Sequence, residues 1–226
     1  VIDMGNKEEM ESKYNCSLTT DNDGELVLKK FEEDTESVKE FIQNKFFKEA
    51  LKNLKTLGTV MPSSSFLSKR MLREIDFSQA EVIVELGPGN GAITKYIIEQ
   101  LSPIARLICF EINNNFYSQL KEQKHPQLIV LNVSAGKIAD ELKKLNIKKV
   151  DCIISSLPLT ILPKEVSEEI LLKAFEVLED NGSFIQYQYS LSYFKKVKKV
   201  FRESISVEFE PLNIPPAFIY RCKKVQ

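Results

Sequence analysis

The run Glu85-Leu86-Gly87-Pro88-Gly89-Asn90-Gly91 and the acid Glu111, twenty residues beyond Gly91, are the residues whose types and spacing could do chemistry. Glycines let the backbone come close to a ligand, and a helix opening just beyond them offers unpaired N–H groups. An acid at the end of the following strand can accept hydrogen bonds from both hydroxyls of a ribose. Glycines at 87, 89 and 91 followed by Ala92 give GxGxG, not the GxGxxG dinucleotide fingerprint. No Gly-Lys-Ser/Thr follows, which excludes a Walker A loop.

These residues need elements to hold them. Glu81-Val82-Ile83-Val84-Glu85-Leu86 is a short β-branched run, and Ile93, Tyr96, Ile97 and Leu101 recur at helical spacing after the turn. A strand, a glycine turn and a helix open a doubly wound α/β domain. Further strands are predicted at 107–111, 128–131, 150–155 and 183–189, and a closing hairpin at 204–209 and 217–222. Helices are predicted at 115–122, 135–145 and 164–178, the last running into a helix-ending turn at Asn181-Gly182.

The chain has 226 residues with 31 basic and 32 acidic side chains, one His, four Cys and no Trp. The lone His125 rules out a His-rich zinc site or a two-His relay, and no CxxC pairing encodes a zinc ribbon, so no metal is expected. Sparse, unpaired cysteines suit a reducing, cytoplasmic compartment. No apolar run approaches the length needed to span a bilayer.

Charge is segregated along the chain. Residues 1–35 carry four lysines against ten acids and read as an acidic polar arm or a marginal strand around Leu26-Val27-Leu28. Residues 36–73 carry eight bases against three acids. From Val38 to Leu57 the apolar positions recur at helical spacing, with lysines on the other face. Such a helix either packs on its own domain or lies on an anionic membrane or a nucleic acid. The run 193–202 poses the same question, with five bases and no acid. The expected organisation is an arm at 1–35, a helical extension at 36–79 and the α/β domain at 80–226.

With Glu85 two residues before Gly87, the glycine segment resembles motif I of class I S-adenosylmethionine-dependent methyltransferases. The resemblance implies a Rossmann-like α/β fold, with a seven-stranded, mostly parallel sheet whose last strand is antiparallel. It implies S-adenosyl-L-methionine as cofactor, held by Glu85, Gly87, Pro88, Gly89 and Gly91, by Glu111 and Ile112, and by Ser155. Members commonly carry Gly-Asp-Ala after the third strand, whose Asp takes the adenine amine. Here Ser134 stands before Ala135 in that place, a weaker acceptor that also admits a non-catalytic paralogue.

Beyond the core, the chain resembles bacterial phospholipid N-methyltransferases from about Phe46 to Arg221. The similarity rests on Leu57-Gly58-Thr59-Val60-Met61-Pro62-Ser63-Ser64, on Ser155-Ser156-Leu157-Pro158-Leu159, on Gln186-Tyr187-Gln188-Tyr189 and on Asn213-Ile214-Pro215-Pro216-Ala217-Phe218-Ile219-Tyr220-Arg221. That family implies an aminolipid substrate such as phosphatidylethanolamine and a peripheral position on the inner membrane face through residues 36–57. It also implies a cofactor-covering segment that includes Ser63 and Ser64. Ribosomal RNA adenine dimethyltransferases are more distant. They carry Asn-Leu-Pro-Tyr or Asn-Leu-Pro-Phe where this chain has Ser156-Leu157-Pro158-Leu159, and a missing ring removes base stacking of ~1–3 kcal/mol. Nucleic acid is therefore the lesser partner.

Methyl transfer to an amine needs acceptors for the amine hydrogens more than a strong nucleophile. The candidates are Ser155 and Ser156, with Tyr187 and Tyr189 across the pocket to hold a methylated cation by cation–π attraction. Tyr189 is the first choice because it matches a substrate-lining tyrosine of the family. One of the two tyrosines is expected in the core and the other in the pocket. Lys195 or Lys196 is expected to meet a lipid phosphate.

Overall fold

The computed structural model describes residues 17–20, 26–29, 63–202 and 204–225. It divides into two units, Val1–Lys45 and Phe46–Gln226. In the first unit, β1 (Ser17–Thr20) and β2 (Leu26–Lys29) pair antiparallel, so Leu26-Val27-Leu28 does form a strand. The rest of the acidic arm and the basic segment 36–57 lie outside the described residues.

The second unit is built on a seven-stranded sheet in the order β5-β4-β3-β6-β7-β9-β8. Its strands are β3 (Val82–Leu86), β4 (Arg106–Phe110), β5 (Leu128–Leu131), β6 (Val150–Ser155), β7 (Leu178–Gln188), β8 (Ile205–Glu210) and β9 (Ala217–Lys223). The pairs from β5 through β7 are parallel, and β9 runs antiparallel to both β7 and β8. The chain winds outward from β3 to β5, then crosses back to β6. The reversal between β3 and β6 opens a crevice at the carboxyl ends of those strands, where open α/β sheets bind ligands.

Alternation along the strands sends side chains to two apolar layers. Val82, Val84 and Leu86 join one cluster with residues of α4 (Ile138–Lys144), α5 (Lys164–Val177) and α6 (Phe194–Phe201). Ile83 joins the other with residues of α1 (Ser65–Leu72) and α2 (Thr94–Ile98). Glu85 shares the Ile83 face and is wholly buried. The remaining helix, α3 (Asn114–Glu122), is capped by the Asn113 side chain.

Helix α1 is fastened at both ends. Ser64 caps its start by accepting from Leu67 N–H at 3.1 Å, while Ser64 N–H donates to Asn213 Oδ1 at 3.0 Å. At the other end the buried Arg221 guanidinium donates to the carbonyls of Arg70 and Met71 and pairs with Glu208 at 2.7 Å. These are the carbonyls a helix leaves without intrahelical partners, so the cation satisfies them and faces the negative end of the dipole.

Three boundaries differ from the sequence expectation. The helix α5 stops at Val177 and β7 begins at once, so Asn181-Gly182 lies inside the strand instead of ending a helix. The register steps from Val150↔Leu178 to Cys152↔Ser183, and the intervening residues bulge with Asn181 at φ 64. The bulge survives because Asn181 N–H and Gly182 C=O pair with Lys224. The helix after the glycine turn ends at Ile98, where Gln100 and Leu101 N–H groups turn back to carbonyls three residues earlier. The segment 135–145 splits into a single tight turn, Ala135–Lys137, followed by α4.

Candidate active site

The glycine turn follows β3 directly. Gly87, Gly89 and Gly91 all have positive φ. Gly87 N–H donates to Phe110 C=O at 3.0 Å, which ties the turn to β4. A Cβ on Gly87 would lie 2.6 Å from Leu157 Cδ2, whereas one on Gly89 would meet nothing within 4 Å. The first glycine thus lets the loop after β6 close in, and the second leaves an open cradle.

Two carboxyl groups border that turn. Glu111, at the end of β4, accepts from Gly89 N–H at 2.9 Å and from Asn113 N–H at 2.7 Å. Its own carbonyl accepts from Asn132 Nδ2 at 2.9 Å. A carboxylate has about four acceptor positions; the N–H groups of Gly89 and Asn113, with that of Ile112 beside them, take up most of these and leave acceptor capacity for a ligand hydroxyl. Burial raises the Glu111 carboxyl above its ordinary range. Glu85 lies below the turn, where one oxygen accepts from Thr94 Oγ1 at 2.7 Å and from Cys109 Sγ at 3.6 Å. Its other oxygen is buried with no partner among the described residues. Burial pushes this carboxyl from 4.5 to about 7.

Ser134 caps the tight turn after β5, its hydroxyl accepting from Gly136 N–H at 3.3 Å, with Ala135 buried behind it. Ile112 is half-buried beside Glu111. Ser63 and Ser64 stand half-buried at the head of α1.

The loop after β6 supplies the opposite wall. Ser156 N–H donates to Leu86 C=O at 2.9 Å, which keeps the loop against β3. The Ser155 hydroxyl is buried and accepts from Leu157 N–H at 3.4 Å, so it is turned into the loop. Ser156 is half-buried, and among the described residues its hydroxyl and carbonyl have no partner. The next carbonyl is fully engaged: Leu157 C=O accepts from Gln186 Nε2 at 3.0 Å, Gln188 Nε2 at 3.1 Å and Leu159 N–H at 2.9 Å. Leu159, turned inward by this arrangement, is 1% exposed.

Tyr187 and Tyr189 lie on the same face, contrary to the expected division between core and pocket. Residues two apart along a strand share a face. Their rings meet edge to face at 5.7 Å, and both pack against the Ile83-side cluster. Burial, with the Tyr187 phenol beside it, pushes the Tyr189 phenol well above its ordinary range. Its hydroxyl also faces the buried Asn213, the residue that holds Ser64. Lys195 is exposed on α6, whereas Lys196 is occupied by Glu168 at 3.6 Å and by the Tyr193 ring.

Residues 84–186 match the family described as "Methyltransferase domain". An ornithine lipid N-methyltransferase of Singulisphaera acidiphila is 30% identical over 184 residues, covering 80% of this chain and 94% of that protein. The chain belongs to the S-adenosylmethionine-dependent methyltransferases. Ribosomal RNA small subunit methyltransferase A of Ureaplasma urealyticum is 26% identical over 66% of the chain, which spans about half (53%) of that relative's length. Among solved structures the fold is that of a putative O-methyltransferase from Klebsiella pneumoniae (TM-score 0.56, 11% identity, 80% of this chain and 90% of that one). It is also that of the O-methyltransferase TomG from Streptomyces achromogenes, solved with S-adenosylmethionine (TM-score 0.55, 14% identity, 79% and 89%).

For a methyltransferase of this family the observed groups fit the cofactor's chemistry. A cradle that a Cβ at Gly89 would fill, the remaining acceptor capacity of Glu111 and an unpartnered carboxyl oxygen on Glu85 match a ribose and an ammonium group. Among the described residues no group of His, Cys, Asp or Glu is placed to hold a metal ion, and no helix is long and apolar enough to cross a membrane. Sequence reading missed Asn213 as an anchor, Thr94 and Cys109 as the neighbours of Glu85, and the double glutamine clamp on Leu157. For the clamp a signal did exist, because Gln186 and Gln188 alternate in a strand beside the acceptor loop.

Proposed function

We propose that this protein transfers the methyl group of S-adenosylmethionine to the amine of an aminolipid headgroup at the inner face of a membrane. The observation that carries the reading is the loop after β6. It leaves the Ser156 carbonyl open as an acceptor and turns Leu159 into the core, so no ring stands there to stack on a base. The lipid-methylating relative, matched over nearly its whole length, supports the same class of acceptor.

The cofactor supplies an electrophilic methyl carbon on a sulfonium. Glu111 takes the ribose hydroxyls, Gly87 to Gly91 let the backbone approach, and Glu85 faces the ammonium end. Ile112, Ser134 and Ala135 line the adenine side, where the Ser134 hydroxyl, already capping Gly136, is a modest partner. Ser63 and Ser64 cover the site from α1. The Ser156 carbonyl and hydroxyl orient the amine, whose proton leaves to solvent before its lone pair attacks. Tyr187 and Tyr189 hold the methylated cation by their faces. Lys195, exposed on α6, meets the lipid phosphate. The free thiols of Cys109, Cys152 and Cys222 suit a cytoplasmic setting.

The test offers labelled S-adenosylmethionine with phosphatidylethanolamine or ornithine lipid in anionic vesicles, and with ribosomal RNA in parallel. Label in the lipid is expected. Label in RNA alone would favour base methylation, for which the ribosomal RNA relatives argue. Cofactor binding without transfer to either would favour a non-catalytic paralogue.

A further inference from the structure

Among the described residues ten large apolar side chains are exposed, and five of them gather at the carboxyl edge of the sheet. Phe66, Ile161, Leu191, Leu212 and Ile214 are each 47–70% exposed. Each lies within two residues of a hydrogen-bonded group that fixes its backbone. Phe66 follows Ser64, and Leu212 and Ile214 flank Asn213, the two residues joined at 3.0 Å. Ile161 follows Thr160, whose hydroxyl donates to Gln188 at 3.4 Å. Leu191 follows Ser190, whose carbonyl accepts from Tyr220 at 3.0 Å. These side chains are held outward by neighbours tied into the fold.

The charge pattern names the occupant. Exposed lysines follow three of these residues at three or four positions: Lys69 after Phe66, Lys164 after Ile161 and Lys195 after Leu191. Glu165, exposed beside Lys164, is an acid that opposes them, and Glu168 pairs with Lys196 beside Lys195. An apolar tip with a lysine close behind suits a lipid interface, where the tip enters the acyl boundary and the ammonium stays among phosphates. The tips also come from separate segments: the head of α1, the loop after β6, the segment after β7 and the connection between β8 and β9.

We infer that this rim seats the protein on a bilayer containing anionic lipid, separately from the contact expected of residues 36–57. The inference rests on the aminolipid reading: the headgroup reaches Tyr187 and Tyr189 while its chains stay in the bilayer.

The test uses the full chain with Leu191→Ser and Leu212→Ser combined, and a Leu191→Phe, Leu212→Phe partner. Binding to phosphatidylcholine–phosphatidylglycerol vesicles without any amine-bearing lipid is expected to fall about tenfold in the serine variant and to persist in the phenylalanine variant. Affinity for S-adenosylmethionine and turnover of a short-chain, monomerically dispersed aminolipid are expected to stay unchanged. Unaltered vesicle binding would overturn the inference, as would an equal loss of turnover on the dispersed substrate. A dimer that dissociates in the serine variant would overturn it in favour of a second copy of the chain. Docking is read without an acceptor, so a docking loss with no lipid methylated sinks only the aminolipid reading. Methylated lipid with unaltered docking sinks only the rim.

Discussion

The backbone N–H of Gly89 donates to the carboxylate of Glu111 at 2.9 Å, so the cradle and the acid that would hold a ribose are bonded to each other. Removing the acid removes two charge-assisted acceptors and loosens the turn. Glu111→Ala is expected to weaken S-adenosylmethionine binding by about 3 kcal/mol, roughly a hundredfold. Calorimetry reads this directly, and unchanged affinity would mean that the ribose lies elsewhere.

Gly87 and Gly89 both have positive φ but face different surroundings. Gly89→Ala is expected to cost about 1 kcal/mol of stability from its left-handed backbone, and to abolish cofactor binding by filling the cradle. Gly87→Ala adds an overlap with Leu157 and is expected to lower the melting temperature further. Paired thermal unfolding and calorimetry separate the two. The reverse ranking in stability would contradict the packing described.

Glu85 is a buried acid lifted from 4.5 to about 7. The folded state holds this proton where the unfolded chain has released it. Stability from this group is therefore full below about pH 4.5 and is lost as pH rises to about 7, by about 3 kcal/mol. Glu111, also raised by burial, contributes with the same sign. Glu85→Gln is expected to flatten most of that slope in denaturant titrations between about pH 5 and about pH 7. An equal slope in the variant would assign it to other groups.

Burial raises the Tyr189 phenol above its ordinary range, so in the proposed reaction this residue is expected to act as a face and not as a base. Tyr189→Phe is expected to retain turnover and an unchanged rate profile from about pH 7 to about pH 9, while Tyr189→Ala loses about tenfold. A phenylalanine variant as poor as the alanine one would show that the hydroxyl is needed.

Much of this was legible along the chain. The β-branched run Val82-Ile83-Val84 and the Gly87–Gly91 turn carry the strand, the turn and the expected cofactor side, because these depend on local sequence. What stayed hidden depends on residues brought together from far apart. Asn213 grips Ser64 across 149 positions, and only the sheet order makes them neighbours. The bulge at Asn181 was hidden for the same reason, since partners on β6 and at Lys224 decide that the backbone stays laddered. The shared face of Tyr187 and Tyr189 needed only the period of two.

The guanidinium of Arg221 holds a helix that precedes it by 150 residues. At roughly 5–20 residues per second, a ribosome takes about 10–30 s to supply that partner after the helix has emerged. Through that interval the carbonyls of Arg70 and Met71 lack the guanidinium that satisfies them in the completed fold. Chains arrested before residue 217 should therefore be cut by protease within 64–72, and completed chains should resist. Protection in the arrested chains would mean that the helix finds another seat first.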